Sequence, residues 1–430
     1  DGCLVEIDGF DQFFLELGLN MFPDGDITPP KTGAYLTKQV KERIFNYRTQ
    51  FYEAFKKEGM DDILSLMSDV EKRYENEKLA SNVPLTAVDY LYRGDRKRRE
   101  GKLDEAIQEY CKAIEVDPDY AEPYISRGIM YGNQGKYEQS ITDFSEAIRC
   151  DSSLSHAYYN RALCYKHSEK YHKAIDDNTT AIRLNPSYIS AYINRGNCYA
   201  ELEQYDHAIY DYDKAIELDS SNAMPYSNRG NCYGELKQIE RAIQDYDKAI
   251  ELDSNYAVAY YNRGNRYSDW KQYERAIQDY DKAIELDPSY AAAYYNRGNC
   301  YDILEQYELA IQDYDKAIEL DPNDATAYNT RGCSYAALEN HEQAIQDYTK
   351  AMELGANKAI VYGNRGESYY KLDKHDLTIA NCSRCIELDP NHSEAYKYRA
   401  LAYRAIGETA LAEADEAKAA ELEAAQKGNV

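Results

Sequence analysis

From Ala87 to about Ala424 the chain repeats itself every 34 residues, and no insertion or deletion breaks the step. The stretch Ala291–Asp324, AAAYYNRGNCYDILEQYELAIQDYDKAIELDPND, is the clearest of ten such copies. A fixed period of this size constrains the fold more than any single residue does. Each copy is too short to close a core alone, so it buries its apolar face against its neighbours and the stack grows in one dimension. The ordinary expectation of several globular domains for 430 residues therefore does not apply.

The copies start at 87, 121, 155, 189, 223, 257, 291, 325, 359 and 393, and each divides into two helical halves. In the Ala291 copy, Tyr294, Gly298 and Tyr301 share one stripe. Tyr307, Ala310, Ile311, Tyr314, Ala317 and Ile318 share another, at spacings of three and four. Leu304-Glu305-Gln306 is the turn between them. Asp321-Pro322 stops the second helix, because proline pushes the residue before it out of the α region.

Upstream, residues 1–34 show no period and read as a partly irregular extension. Over 35–82 the sequence predicts a helical hairpin. Leu36, Val40, Ile44, Tyr47, Phe51 and Phe55 line its first helix, Gly59 breaks it, and Ile63, Leu64, Met67, Val70 and Tyr74 line its second. The hairpin is placed to cover the first repeat or to dimerise the chain. Residues 427–430 are a short tail. The chain opens Asp-Gly-Cys-Leu rather than with Met, as expected of a processed or partial chain.

The repeat resembles the tetratricopeptide repeat, whose pattern runs W-x2-L-G-x2-Y, A-x3-F, A, P. The first aromatic is Tyr in all ten copies: Tyr90, Tyr124, Tyr158, Tyr192, Tyr226, Tyr260, Tyr294, Tyr328, Tyr362 and Tyr396. Glycine stands at the helix–helix contact in eight, with Ala162 and Ala400 as substitutes. Departures collect at the ends, where capping requires them. Lys97 replaces a tyrosine in the first copy, Glu416 an aromatic in the last, and the ninth is degenerate at Thr378, Cys382 and Cys385. The resemblance implies an all-α fold: a right-handed superhelical α-solenoid of helix-turn-helix repeats over 87–426, preceded by the hairpin and ended by a polar cap. It also implies that the first helices line a concave groove.

One departure runs the whole length. Where the family has Leu, every copy carries Arg: Arg93, Arg127, Arg161, Arg195, Arg229, Arg263, Arg297, Arg331, Arg365 and Arg399. An unpaired buried charge is too costly to keep. Sixteen residues later stand Glu109, Asp143, Asp177, Asp211, Asp245, Asp279, Asp313, Asp347, Asn381 and Asp415. Bridges between the two rows, within or between adjacent repeats, are expected to fix register rather than add net stability.

Two rows of asparagine mark the candidate binding site. Asn160, Asn194, Asn228, Asn262, Asn296 and Asn364 precede the arginine, and Asn197, Asn231, Asn265 and Asn299 follow it by two. An amide both donates and accepts, so a regular row suits the main chain of an extended peptide. The longer row is similar to the asparagine ladder in the repeats of the O-linked N-acetylglucosamine transferase. Residues copied by duplication recur without selection for binding, and that alternative stays open. The clamp by which related co-chaperones grip acidic tails is not matched, because Leu91, Asp95, Ile125 and Ile129 stand at its positions. Arg96, Lys97, Arg98 and Arg99 form the one concentrated basic patch, either a solvated cap face or a docking point for an acidic partner or phosphate.

Catalysis is not expected. No phosphate-binding, dinucleotide or nucleophile-elbow motif occurs, the histidines are scattered, and Cys382-x-x-Cys385 lies on a buried helix stripe without further ligands. No cofactor or metal is expected either. Cys164, Cys198, Cys232 and Cys300 share one small-residue position, which reads as packing and implies a cytoplasmic or other reducing compartment. No apolar run approaches the roughly 18 residues a membrane span needs.

A net charge of −26 disfavours nucleic acid and favours basic protein segments. The sequence therefore reads as a non-catalytic interaction scaffold or adaptor that holds an extended, basic segment in its groove. Two alternatives stand beside it. One is an assembly subunit, a homo- or hetero-oligomer, using the convex face and the solenoid ends. The other is a regulatory module of an enzyme whose catalytic domain lies outside this chain.

Overall fold

The computed structural model describes residues 20–21, 27–28, 84–356 and 358–427. The hairpin expected at 35–82, nearly all of the extension at 1–34 and the tail at 428–430 lie outside the described residues. Within the extension, Asn20–Met21 and Ile27–Thr28 pair antiparallel, with Asn20 opposite Thr28.

All other regular structure among the described residues is helical. First helices begin at 87, 121, 155, 189, 223, 257, 291, 325, 359 and 393, and second helices at 103, 137, 171, 205, 239, 273, 307, 341, 375 and 409. The period of 34 thus survives to the residue as a solenoid of helix pairs. The chain divides into two compact bodies, Asp1–Met130 and Tyr131–Val430, with the division inside the helix Ala121–Asn133. In the first body Leu91, Ala106, Tyr110 and Met130 form the core, with Ile107 and Tyr120 packed against it.

In the second body each core is completed by the next repeat. Ala208, Tyr212 and Ala215 of one repeat enclose Cys232 of the following one, and Ala276 and Tyr280 likewise enclose Cys300. This explains the recurring cysteine: in these repeats the position packs a small side chain against the second helix of the preceding repeat. Burial pushes the Cys198 thiol up to about 11 and that of Cys232 to about 12, so both stay protonated near neutrality.

In six repeats the first-helix glycine faces the tyrosine sixteen positions on, and in the ninth Gly366 faces Cys382. A Cβ at Gly196, Gly264, Gly298 or Gly332 would stand 2.8 Å from the ring of Tyr212, Tyr280, Tyr314 or Tyr348. The two alanine substitutes occur where that residue is not aromatic: Ala162 has Asn178 in register, and Ala400 has Glu416. Helix ends are equally regular. Asp219, Asp253, Asp287 and Asp321 follow a second helix and accept a backbone N–H two residues on, at 2.9–3.1 Å. Each offers an Asx turn that competes with further helix.

Every turn inside a repeat contains one residue at positive φ, again 34 apart. It is Gly101, Gly135 and Gly407 in three repeats, but Glu169, Glu203, Lys237, Lys271, Glu305, Glu339 and Asp373, at φ 57–60°, in seven. A side chain in this left-handed region costs about 1 kcal/mol, which glycine avoids. Replacing Glu203, Lys237, Lys271 and Glu305 by Gly will therefore stabilise the array by about 0.5–1 kcal/mol each. Urea unfolding followed by circular dichroism reads the increment, and a lower midpoint for the quadruple variant would refute it.

Candidate binding face of the first helices

The arginine of each repeat ties the second body together. Arg161, Arg195, Arg229, Arg263, Arg297, Arg331 and Arg399 each donate Nε and Nη2 to the aspartate sixteen residues later. For Arg263 and Asp279 the distances are 2.8 and 2.6 Å. In the ninth repeat Arg365 meets Asn381 at 2.9 Å, and in the first body Arg93 pairs with Glu109 at 3.3 Å.

The remaining nitrogen reaches the opposite way, to the residue sixteen before, on the second helix of the preceding repeat. Nη1 of Arg161, Arg195, Arg365 and Arg399 donates to Ser145, Thr179, Thr349 and Ser383 at 2.9–3.0 Å. Across the middle of the array the acceptors are carboxylates: Asp213 for Arg229, then Asp247, Asp281 and Asp315 at 2.5 Å for Arg263, Arg297 and Arg331. Each guanidinium also lies over the repeat's first tyrosine and several lie between two, with Arg263 Cζ 5.6 Å from the Tyr260 ring centre and 6.0 Å from that of Tyr267. Sequence pairing found the forward bond. It did not find the backward one, because the acceptor varies among Ser, Thr and Asp.

Burial raises the carboxyls of Asp211, Asp245, Asp279 and Asp313 above the ordinary aspartate value, against the pull of their arginine hydrogen bonds. Desolvation thus offsets much of what the pair gains. The bridges expected from the sequence are thus present, within each repeat, and buried pairs of this kind generally add little net stability.

The asparagines lie beside these arginines. In the longer row, Asn228 Nδ2 donates to Asn197 Oδ1 of the preceding repeat at 3.0 Å, and Asn296 Nδ2 to Asn265 Oδ1 at 3.0 Å and to the Tyr261 hydroxyl. Asn364 Nδ2 meets Cys333 Sγ at 3.3 Å, and Asn160 turns back onto the carbonyl of His156. Asn194 is buried with its Nδ2 unpartnered, and Asn262 makes no side-chain hydrogen bond among the described residues. In the shorter row, Asn197, Asn231, Asn265 and Asn299 accept the hydroxyls of Tyr212, Tyr246, Tyr280 and Tyr314 at 2.6–2.9 Å. The oxygens of this row are thus used inside the fold. Among the described residues the capacity left consists of N–H donors from the shorter row, carbonyl oxygens from the longer one and the whole amide of Asn262, while Asn194 is closed off at 4% exposure.

Residues four, seven and eleven positions apart share a helix stripe. Ser190, Asn194, Asn197 and Glu201 form one; Met224, Asn228, Asn231 and Glu235 the next; Val258, Asn262, Asn265 and Asp269 the third. Glu201, Glu235 and Asp269 are exposed, and the first two make no ion pair among the described residues. Sequence reasoning passed over these three carboxylates, although their spacing from the asparagines was readable.

The basic patch closes the helix Ala87–Arg99, whose last turn holds Arg96, Lys97, Arg98 and Arg99. Cations there suit the helix C-terminus. Lys97 pairs with Glu105 at 2.6 Å, and Arg98, 45% exposed, lies 4.0 Å from Asp95. Cys382 and Cys385 are both fully buried, and burial lifts their thiols to about 12 and 11. Among the described residues no group of His, Cys, Asp and Glu could hold a metal ion, and no helix is long and apolar enough to cross a membrane.

Family models agree with the repeat. A tetratricopeptide repeat model matches residues 155–188, 189–222, 223–256, 291–324 and 359–392. Two further repeat models match 94–135 and 264–302, and 245–278, 313–346 and 381–414. Among solved structures, YrrB, "a TPR protein with an unusual peptide-binding site", is 30% identical over 43% of this chain and 95% of its own, with a TM-score of 0.40. MamA is 29% identical over 38% of this chain and 96% of its own, at 0.37. A tetratricopeptide repeat protein from Parabacteroides merdae is 21% identical over 58% and 98%, at 0.46. Comparison with curated proteins gave no match.

Proposed function

The chain belongs to the tetratricopeptide repeat family, a fold of protein-interaction scaffolds, and from that premise we propose that its first-helix face holds an extended, basic segment of a partner protein. The observation that carries this reading is the triple stripe of repeats four to six. There, paired asparagines stand one helical turn from Glu201, Glu235 and Asp269, in the same register in each of these three repeats. Carbonyl oxygens of the longer row and Nδ2 groups of the shorter one would meet the main chain of the segment. The carboxylates would meet its cationic side chains and exclude acidic ones. The arginine clamps hold this face rigid, which lowers the ordering cost of binding. The reading is non-catalytic.

Fluorescence anisotropy with labelled lysine-rich and glutamate-rich extended peptides tests it. The lysine-rich peptide is expected to bind the parent, more weakly as salt rises, and to lose about tenfold in affinity with Glu201→Gln and Glu235→Gln combined. Equal binding of both peptides would count against the charge reading.

A second reading, an assembly subunit, draws on Leu309, Leu377 and Leu411. These occupy one repeat position on second helices and are 42–47% exposed. Concentration-dependent sedimentation lost on replacing the three by Gln would favour it.

A further inference from the structure

The sixth repeat breaks the pattern of its neighbours at one point on the first helices. Three residues past the clamp arginine, repeats three, four, five and seven carry the buried Cys164, Cys198, Cys232 and Cys300, whereas the sixth carries Arg266. Room for the longer side chain comes from Gly234 on the preceding first helix. A Cβ there would stand 2.8 Å from Arg266 Nη1 and 3.1 Å from its Cδ. The adjoining repeats have Ala200, Ser268 and Asp302 at that place.

A guanidinium has five N–H donors and no acceptor. The clamp arginines engage all three of their nitrogens: Arg263, one turn away, donates from Nε and Nη2 to Asp279 and from Nη1 to Asp247. Arg266 has one partner among the described residues, Asp269 at 3.2 Å, and is 18% exposed. Its Nε is sealed from solvent without an acceptor. The charge stands near the phenols of Tyr246 and Tyr280, whose pKa burial raises and Arg266 partly opposes. Those hydroxyls use the oxygens of Asn231 and Asn265, leaving the Nδ2 groups of the two amides without an acceptor among the described residues. The locus is therefore a concentration of N–H donors around an under-satisfied cation, set where four other repeats keep a neutral thiol. A charge so placed costs stability unless something arrives to complete it.

We infer that Arg266 receives an oxyanion of a bound molecule, a carboxylate or a phosphate, through the exposed edge of its guanidinium. Planar bidentate recognition of either group is what arginine does better than lysine. Asp269 then positions the fork, and Gly234 sets its depth. This site does not rest on the basic-segment reading, and small ions test it separately.

Trp270, the single tryptophan of the chain, lies one helical turn past Arg266 and is 42% exposed, so its fluorescence reports on this locus alone. The full chain is titrated with inorganic phosphate and, separately, with acetate, at an ionic strength held constant with chloride. A saturable change is expected in at least one arm, and the arm that responds names the source. Arg266→Cys, which installs the residue of the neighbouring repeats, abolishes the change. Gly234→Ala, which displaces the fork, weakens half-saturation about tenfold. Flat titrations in both arms, or one curve shared by parent and Arg266→Cys, would overturn the assignment.

Discussion

Asp279→Ala will destabilise the array by about 3–5 kcal/mol, because it leaves Arg263 in a mostly buried site without its bidentate partner. The clamp contributes little as a pair, yet removing one member exposes the whole desolvation penalty of the other. Asp279→Asn will cost much less, since the ninth repeat already runs on an amide, Asn381, at 2.9 Å from Arg365. Replacing both members, Arg263→Met with Asp279→Leu, will recover most of the loss. In a stack whose repeats contact only neighbours, the single variant has a second signature: urea unfolding separates into two transitions on either side of the sixth repeat. A single transition with an unchanged midpoint would show that the clamp carries no register.

Tyr280→Ala will cost a similar amount, about 3–5 kcal/mol, by emptying a site that is 1% exposed. Its interaction with Gly264 makes the more informative test. In the parent, Gly264→Ala sets a methyl 2.8 Å from the Tyr280 ring and 3.3 Å from the Ala276 carbonyl, and is destabilising despite alanine's better helix propensity. In the Tyr280→Ala background the same change becomes stabilising, by about 1 kcal/mol, because the methyl enters the space the ring leaves. The third repeat already carries this solution, with Ala162 in register with Asn178. Thermal unfolding of the four proteins in the cycle measures the change of sign, and additivity would contradict the packing account.

Much of this was legible in the sequence, for a physical reason. A stack of identical neighbours must repeat its contacts, so spacing became structure: helices start every 34 residues, and Arg and Asp sixteen apart do meet. What stayed hidden lay in variable or cross-repeat contacts. The backward bond of each arginine falls on Ser, Thr or Asp, so no constant residue announced it. The left-handed turn residues are Glu, Lys or Asp in seven repeats, types that give no sign of positive φ. Tyr hydroxyls fifteen residues away claim the oxygens of the shorter asparagine row, a contact within the fold that the sequence reading did not foresee. Gly234 and Arg266 are 32 apart, one pair among ten near-identical repeats, and only their packing shows that they belong together.

The central claim is that the asparagine rows hold an extended, basic segment. Its most direct test is the lysine-rich peptide titration on the parent and on one variant, Asn194→Ala with Asn228→Ala, Asn262→Ala and Asn296→Ala. Circular dichroism first establishes that both have the same helicity. The account predicts that the variant loses binding by about tenfold or more while keeping its fold. Unchanged affinity in a folded variant would contradict it, and would move the search from the first-helix face to the second helices.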